Sequence, residues 1–220
     1  MHSKPKIKIC GITRLEDALL AQALGADALG FNFYGKSQRF IDPADAKKIA
    51  SALQSESHKL LPIPCLVGVF VDAPRQEVIA IAKEVGLTCL QFHGSETKEF
   101  CSGWPDFKVI RALRVSADLS VADMLSIESS VSRLLLDRYE NNLAGGTGKT
   151  IPNDILARLQ VDGFLERAIL AGGLNADNVV DRIRTYRPYG LDVASGIESA
   201  PGCKDKNKME LFIQRIRDST

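Results

Sequence analysis

The sequence lacks the cysteine spacing of a disulfide framework or of a zinc site. Its five cysteines are an odd number, with no C-x-x-C pair and no Cys/His spacing of the kind that binds zinc. The opening MHSKPKIKIC also lacks the apolar core of a secretory signal peptide. We therefore expect reduced thiols in a cytoplasmic protein.

Long apolar runs and an excess of one charge are absent as well. The longest apolar stretch, 60–71, contains two prolines and is too short to span a bilayer. The 28 basic and 27 acidic residues leave a net charge of +1, so no nucleic-acid or membrane partner is expected. No low-complexity segment or composition break divides the chain, which predicts one domain over residues 1–220.

The chain repeats a rhythm of strand, turn and helix. The predicted strands are Lys6–Cys10, Asp27–Phe33, Leu66–Val71, Thr88–Phe92, Lys108–Ala112, Ser132–Asp137, Ala168–Ala171 and Gly190–Val193. The predicted helices are Arg14–Leu24, Pro43–Leu53, Pro74–Val85, Ser95–Cys101, Ala117–Glu128, Asn153–Gln160, Asn175–Tyr186 and Asp205–Arg217. Strands such as LVGVFV and RLLLD are nearly continuous apolar runs, which is typical of a parallel sheet covered on both faces.

Eight such βα units in 220 residues predict an α/β protein with a single (β/α)8 barrel. A doubly wound open sheet is the alternative, and the pattern alone does not exclude it. Two helix starts carry recognisable signals. Thr13 and Glu16 form a T-x-x-E capping box, and Asp42 precedes a proline that suits the first helical turn.

Two reactive side chains end predicted strands, where folds of this class place their chemistry. Cys10 ends the first strand and Asp137 ends the sixth. For an isolated cysteine the commoner fate is a small buried apolar filler, and an aspartate at a strand end can simply cap a turn. The remaining cysteines are expected to be core or surface fillers.

Glycine-rich turns follow the last two predicted strands. Gly172 and Gly173 allow the backbone to approach an anion closely, and Ser195 and Gly196 stand where a short helix could begin. Each turn alone is better explained by backbone geometry, but their occurrence at consecutive strand ends predicts a phosphate site. A third cluster, AGGTGKT at 144–150, fails as a Walker A motif because position 143 is leucine.

The ordered stretches KIKICGITR, FNFYGKSQRF, QFHG, LLLD with GGTGKT, AGGL and LDVASGIE resemble the phosphoribosylanthranilate isomerase family of tryptophan biosynthesis. The similarity extends from about Lys6 to Arg217 with the spacing typical of that family. It implies a (β/α)8 barrel without a metal or organic cofactor. It also implies an aldose–ketose isomerase that acts on a small phosphorylated substrate. A monomer and a homodimer are both compatible with the sequence pattern. The implied reaction is an Amadori rearrangement of N-(5-phosphoribosyl)anthranilate.

The same resemblance assigns roles to individual residues. It makes Cys10 the general base, Asp137 the general acid and Arg39 the ligand of the anthranilate carboxylate. The phosphate would be held by Gly172, Gly173, Ser195 and Gly196. His93, at the tip of the fourth strand, is expected to contact substrate, with filling of the barrel mouth as the alternative. Asp192, in the eighth strand, is expected first to anchor local backbone and second to contact substrate.

The sequence departs from the family pattern in small ways, and the presence of both Cys10 and Asp137 argues against its rival functions. Ala194 replaces a frequent serine, and Ile151 and Pro152 stand where an aromatic residue and an aspartate are common. For Arg39, the alternative to binding the anthranilate carboxylate is an ion pair with Asp42 on the surface. The rival functions are a neighbouring phosphate barrel, such as indole-glycerol-phosphate synthase or the aminoaldose isomerase of the histidine pathway, and an inactive phosphate-binding barrel.

Overall fold

A computed structural model of the chain describes residues 4–55, 61–116, 120–138, 150–160 and 163–219. The strands are β1 Lys6–Cys10, β2 Ala28–Asn32, β3 Cys65–Phe70, β4 Cys89–Phe92, β5 Lys108–Val115, β6 Arg133–Arg138, β7 Ile169–Leu170, β8 Gly190–Val193, β9 Glu198–Ala200 and β10 Cys203–Lys204. The helices are α1 Leu15–Ala23, α2 Pro43–Leu53, α3 Arg75–Val85, α4 Lys98–Ser102, α5 Val121–Glu128, α6 Asn153–Leu159, α7 Val179–Tyr186 and α8 Lys206–Asp218.

The first eight strands form a closed parallel barrel, in chain order. The ring closes where β1 pairs with β8, opposing Ile9 to Val193, while the other edge of β1 opposes Cys10 to Gly30 on β2. This closure confirms the predicted (β/α)8 barrel and excludes the open sheet. Because all eight strands are parallel, their carboxyl ends lie at one end of the barrel. The prediction of a single domain over residues 1–220 stays a prediction.

The strands pack apolar side chains on both of their faces. On the outer face, side chains such as Ile7 and Ile9 join the helices in one large core cluster. Inside the barrel a smaller cluster includes Val67, Ile110 and Leu135. Side chains alternate between the two faces along a strand. Since Ile7 and Ile9 face the helices, Lys8 and Cys10 face the inside of the barrel.

Helix starts agree with the sequence at one site and differ at another. The Asp42 carboxylate accepts a hydrogen bond from the Ala44 N–H and caps α2 at Pro43, as predicted. The predicted capping box at Thr13 and Glu16 is wrong. Helix α1 begins after Arg14 without a side-chain cap, and the Thr13 hydroxyl instead donates to the carbonyl of Gly202, 2.5 Å away.

The last third of the chain departs most from the predicted boundaries. Strand β7 has only two residues, and α7 begins at Val179, four residues later than predicted. After β8 a 3-10 helix, Ser195–Ile197, and the hairpin of β9 with β10 precede α8. The predicted start of the fifth helix at 117–119 and nearly all of the glycine cluster at 144–150 lie outside the described residues. No described helix is long and apolar enough to cross a membrane.

Candidate active site

Cys10 is the last residue of β1 and is half-buried at the carboxyl end of the barrel. Gly11 follows with a φ of 72°, in the left-handed region that favours glycine. A Cβ at this position would lie 2.5 Å from Cδ of Arg39, so the missing side chain also makes room for that arginine. The turn after β1 therefore places the Cys10 thiol and the Arg39 side chain beside each other.

Lys8 and Asp192 form a buried ion pair below the Cys10 thiol. The Lys8 Nζ lies 2.8 Å from Oδ1 of Asp192, and only 5% and 9% of the two side chains are exposed. Burial works against the charge of Lys8, but Asp192 and Cys10 outweigh it and hold the pKa of Lys8 above its usual value. Burial raises the pKa of the Cys10 thiol, and the Lys8 ammonium opposes that rise.

Arg39 is held by a buried carboxylate that follows β8. Its Nε and Nη2 donate to Glu198 at 2.9 and 2.7 Å, in a bidentate arrangement. Glu198 also accepts from Nζ of Lys204 at 2.8 Å, and that ammonium donates to the main-chain carbonyl of Cys10 at 2.6 Å. Burial would raise the pKa of Glu198, but Arg39 and Lys204 hold it below its usual value. The alternative pairing of Arg39 with Asp42 is not what the structure shows.

Asp137 lies near the end of β6, and 8% of the residue is exposed. It shares its face of the strand with Leu135, which belongs to the cluster inside the barrel, so the carboxylate also faces inward. Its Oδ1 accepts a hydrogen bond from the Arg138 N–H, and its Oδ2 lies 3.3 Å from Nε2 of His93. The Gln91 amide nitrogen lies 3.2 Å from Nδ1 of the same imidazole. Strands β4 and β6 thus bring His93 and Asp137 together.

The two glycine turns meet beside these groups. Gly172 and Gly173 have φ values of 79° and 61°, and a Cβ on Gly172 would lie 3.0 Å from Oδ1 of Asp137. A Cβ on Gly196 would overlap the carbonyl oxygen of Leu174, so the turn after β8 packs directly on the turn after β7. Among the described residues, none accepts a hydrogen bond from the N–H of Gly173 or Gly196. Within the described part of the chain, the touching turns therefore leave backbone N–H groups without an acceptor, and such donors are a common means of holding a phosphate.

Nearly the whole chain matches one protein family. The sequence model described as N-(5'-phosphoribosyl)anthranilate (PRA) isomerase matches residues 7–215. The chain belongs to the phosphoribosylanthranilate isomerase family. The N-(5'-phosphoribosyl)anthranilate isomerase of Pseudomonas fluorescens strain Pf0-1 is 42% identical over 215 residues, which cover 98% of this chain and 100% of that protein.

Solved structures of this isomerase family share the fold. The phosphoribosyl anthranilate isomerase of Thermus thermophilus superposes with a TM-score of 0.84 at 37% identity, over 97% of this chain and 98% of that one. A second structure, solved in complex with reduced 1-(o-carboxyphenylamino)-1-deoxyribulose 5-phosphate, gives a TM-score of 0.80 at 34% identity, over 97% and 99% of the two chains. The predicted family and its isomerase class are confirmed.

The predicted site residues fall into two groups at one end of this isomerase-family barrel. In the first group Cys10 lies beside Arg39, and Lys8 connects Cys10 to Asp192. In the second group His93 lies beside Asp137 and the glycine turn at Gly172.

Ala194 stands where a serine is frequent in the family, and its carbonyl oxygen lies 3.4 Å from Nζ of Lys204. Ile151 is buried just before α6. Within the described residues no three His, Cys, Asp or Glu side chains are placed to hold a metal ion.

Sequence reasoning missed the charged groups that surround Cys10. Lys8, Glu198 and Lys204 are all buried, with 4%, 7% and 4% of their surface exposed. The signal for Lys8 was present in KIKIC, where two charged residues share one face of the strand with the cysteine. The alternation alone does not tell which face of the strand points into the barrel, because Ile7 and Ile9 could have faced the interior and the lysines the helices.

Proposed function

We propose that the protein catalyses the Amadori rearrangement of N-(5-phosphoribosyl)anthranilate to 1-(2-carboxyphenylamino)-1-deoxyribulose 5-phosphate in tryptophan biosynthesis. The observation that carries this proposal is the placement of one thiol and one carboxylate, Cys10 and Asp137, on inward-facing positions at the same end of the barrel. The bound ligand of the related structure is a reduced form of the same product. A cytoplasmic location and a monomeric or homodimeric state remain predictions.

Ring opening of the aminoaldose needs a proton at the ring oxygen, while the anthranilate nitrogen pushes electrons in to form an iminium. In this proposal Asp137, in its protonated form, delivers that proton as the general acid. The turn at Gly172 leaves space beside its Oδ1, and the Arg138 N–H and His93 hold the carboxyl in position. The carboxyl thus stands next to the turns proposed to hold the substrate phosphate.

The second step removes the proton from C2 of the opened sugar, which is acidic because it lies next to the iminium. Cys10, as a thiolate, is the proposed base. The enolamine formed by this proton loss then tautomerises to the ketone product. Arg39 is proposed to bind the anthranilate carboxylate. The Nε and Nη2 groups of that arginine donate to Glu198. Within the described residues Nη1 has no hydrogen-bond partner, which supports a role for this nitrogen in binding the carboxylate.

The test is an assay of the purified protein with freshly prepared N-(5-phosphoribosyl)anthranilate. We expect loss of the anthranilate-type fluorescence to be much faster than in buffer, with the deoxyribulose phosphate identified by mass spectrometry. The matched control is the same preparation carrying both Cys10→Ala and Asp137→Asn. If the wild-type protein consumes the substrate no faster than this double variant, the proposed function is wrong.

The contact between the two glycine turns gives a prediction for phosphate binding. Gly196→Ala places a Cβ against the carbonyl oxygen of Leu174, so the turns must move apart. We expect a loss of about 1–3 kcal/mol in the free energy of unfolding, with a rise in KM that exceeds any fall in kcat. The matched control is Gly35→Ala, because a Cβ there meets nothing within 4 Å. Equal KM values for the two variants would contradict a phosphate role for this turn.

A further inference from the structure

Lys8 is a buried cation to which the proposed reaction assigns no role. It lies inside the barrel on β1, and its ammonium contacts Asp192 on β8 at 2.8 Å. A buried charge is costly unless it is paired, so a lysine at such a position calls for an explanation. Stability alone is a weak one, because a buried ion pair commonly gains nothing over well-packed apolar side chains of the same volume.

The position of the Lys8 ammonium relative to the Cys10 sulfur follows from Gly30 on β2. A Cβ on Gly30 would lie 2.9 Å from Sγ of Cys10 and 3.0 Å from Nζ of Lys8. Two atoms at those distances from one point lie within about 6 Å of each other, the range in which an opposite charge favours the ionised form of its neighbour. The absent side chain of Gly30 is what lets sulfur and ammonium share this space.

The other charged groups around Cys10 are engaged elsewhere. Lys204, from β10, donates to the carbonyl oxygen of Cys10, not to its sulfur, and is paired with Glu198 on β9. Arg39, from the turn after β2, is also paired with Glu198. Asp192 is an anion and opposes ionisation of the thiol. Lys8 is therefore the cation with the strongest effect on this sulfur.

We propose that Lys8, held in place by Asp192, is a positioning residue that favours ionisation of Cys10 to the thiolate inside the barrel. The inference rests on the proposed function, in which Cys10 is the base. Burial by itself raises the pKa of the Cys10 thiol, and a protonated thiol cannot accept the C2 proton. The Lys8 ammonium offsets part of that rise at the one place where an anion is needed. Asp192 keeps Lys8 charged, because it raises the pKa of that ammonium.

The experiment measures ionisation of Cys10 without using turnover. The full-length protein is alkylated with iodoacetamide across a range of pH, and the Cys10 peptide is quantified by mass spectrometry, because only the thiolate reacts. In Lys8→Met we expect the midpoint of the Cys10 profile to rise by about one pH unit or more. Below the midpoint, alkylation is then about tenfold slower than in the wild type. Lys8→Arg, which keeps the charge, should restore most of the wild-type profile.

Steady-state kinetics provide a second readout with a defined sign. Because the base must be unprotonated, kcat/KM of the wild type rises with pH through the ionisation of Cys10. In Lys8→Met this rising limb should move to higher pH in step with the alkylation midpoint. A lysine with a purely structural role would lower kcat/KM by a similar factor at all pH values and leave the limb where it was.

Lys8→Met leaves Asp192 buried without its partner and is at risk of misfolding. The double variant with Lys8→Met and Asp192→Asn removes both charges and keeps the experiment decisive. Its Cys10 midpoint should also rise, by less than in Lys8→Met, because the opposing Asp192 charge is gone too. Thermal unfolding confirms that the variants are folded. Cys203, half-buried on β10, serves as an internal alkylation control that should not change.

Two results would overturn the proposal. One is a folded variant without Lys8 whose Cys10 profile matches that of the wild type. The other is a Lys8→Arg profile that matches Lys8→Met, since the effect would then not come from the charge. These outcomes are separate from failure of the proposed function. If Cys10→Ala keeps its activity while Lys8→Met still shifts alkylation, Cys10 is not the base but Lys8 still controls its ionisation.

Discussion

Replacement of Cys10 by alanine is expected to lower kcat by about 10²–10⁴-fold, because the step that removes the C2 proton loses its base. KM should change little, since the groups proposed to hold the phosphate lie on the turns after β7 and β8. Cys10→Ser should be nearly as poor. A serine hydroxyl ionises far less readily than a thiol, so even beside the Lys8 ammonium very little of the serine would be present as the alkoxide base. Steady-state kinetics on the three proteins measure both parameters.

The matched control for this experiment is Cys65→Ser. Cys65 is half-buried at the start of β3, at the opposite end of the barrel, where its sulfur lies 3.3 Å from the hydroxyl of Thr88. A serine can keep that contact, so kcat and KM should match the wild type. The assignment of Cys10 as the base would be refuted by a Cys10→Ala protein that retains a tenth or more of wild-type kcat.

Asp137→Asn is expected to produce a loss of similar size, about 10²–10⁴-fold in kcat, by removing the proton donor for ring opening. The substitution is conservative for the fold. An asparagine retains the oxygen that accepts from the Arg138 N–H, and the volume beside Gly172 is unchanged. Thermal unfolding should therefore stay close to that of the wild type, which separates loss of the proton from loss of structure.

Asp45→Asn is the matched control for Asp137. Asp45 is an exposed carboxylate in the first turn of α2, and its partner is Lys48. An exposed pair of this kind contributes little, so activity and unfolding should both be unchanged. If Asp137→Asn turned over substrate as fast as Asp45→Asn, the acid would have to be another group at the barrel mouth.

The barrel could be predicted from the sequence because eight short strand patterns alternate with helical patterns, and strands such as LVGVFV and RLLLD are nearly continuous apolar runs. Strands β1 and β8 were placed to the residue. The predicted helix starts were wrong where contacts with other parts of the structure determine them. The Thr13 hydroxyl takes Gly202 as its partner, 189 residues away, in place of the local helix cap. The residues before Val179 form side-chain turns around Asn175 and Asn178, so α7 starts late.

The sequence could predict those residues of the candidate site whose positions are determined by the ends of strands. Cys10 and Asp137 end apolar strands, and closure of the ring places both at one rim. The pairs that tune those groups were not predictable, because they join distant parts of the chain. Lys8 meets Asp192 across 184 positions, and Arg39 meets Glu198 across 159. A single sequence carries no local sign of such partnerships.

The pairing of β1 with β8 also determines when this site comes into being during synthesis. Lys8 is synthesised 184 residues before Asp192, its counter-ion. Until Asp192 is made the ring cannot close, and the opening strand keeps its lysine in water, because an unpaired ammonium is unstable in an apolar interior. A nascent chain that ends before the eighth strand therefore lacks the charged pair beside Cys10, and the surroundings of this thiol form only when β8 joins the ring.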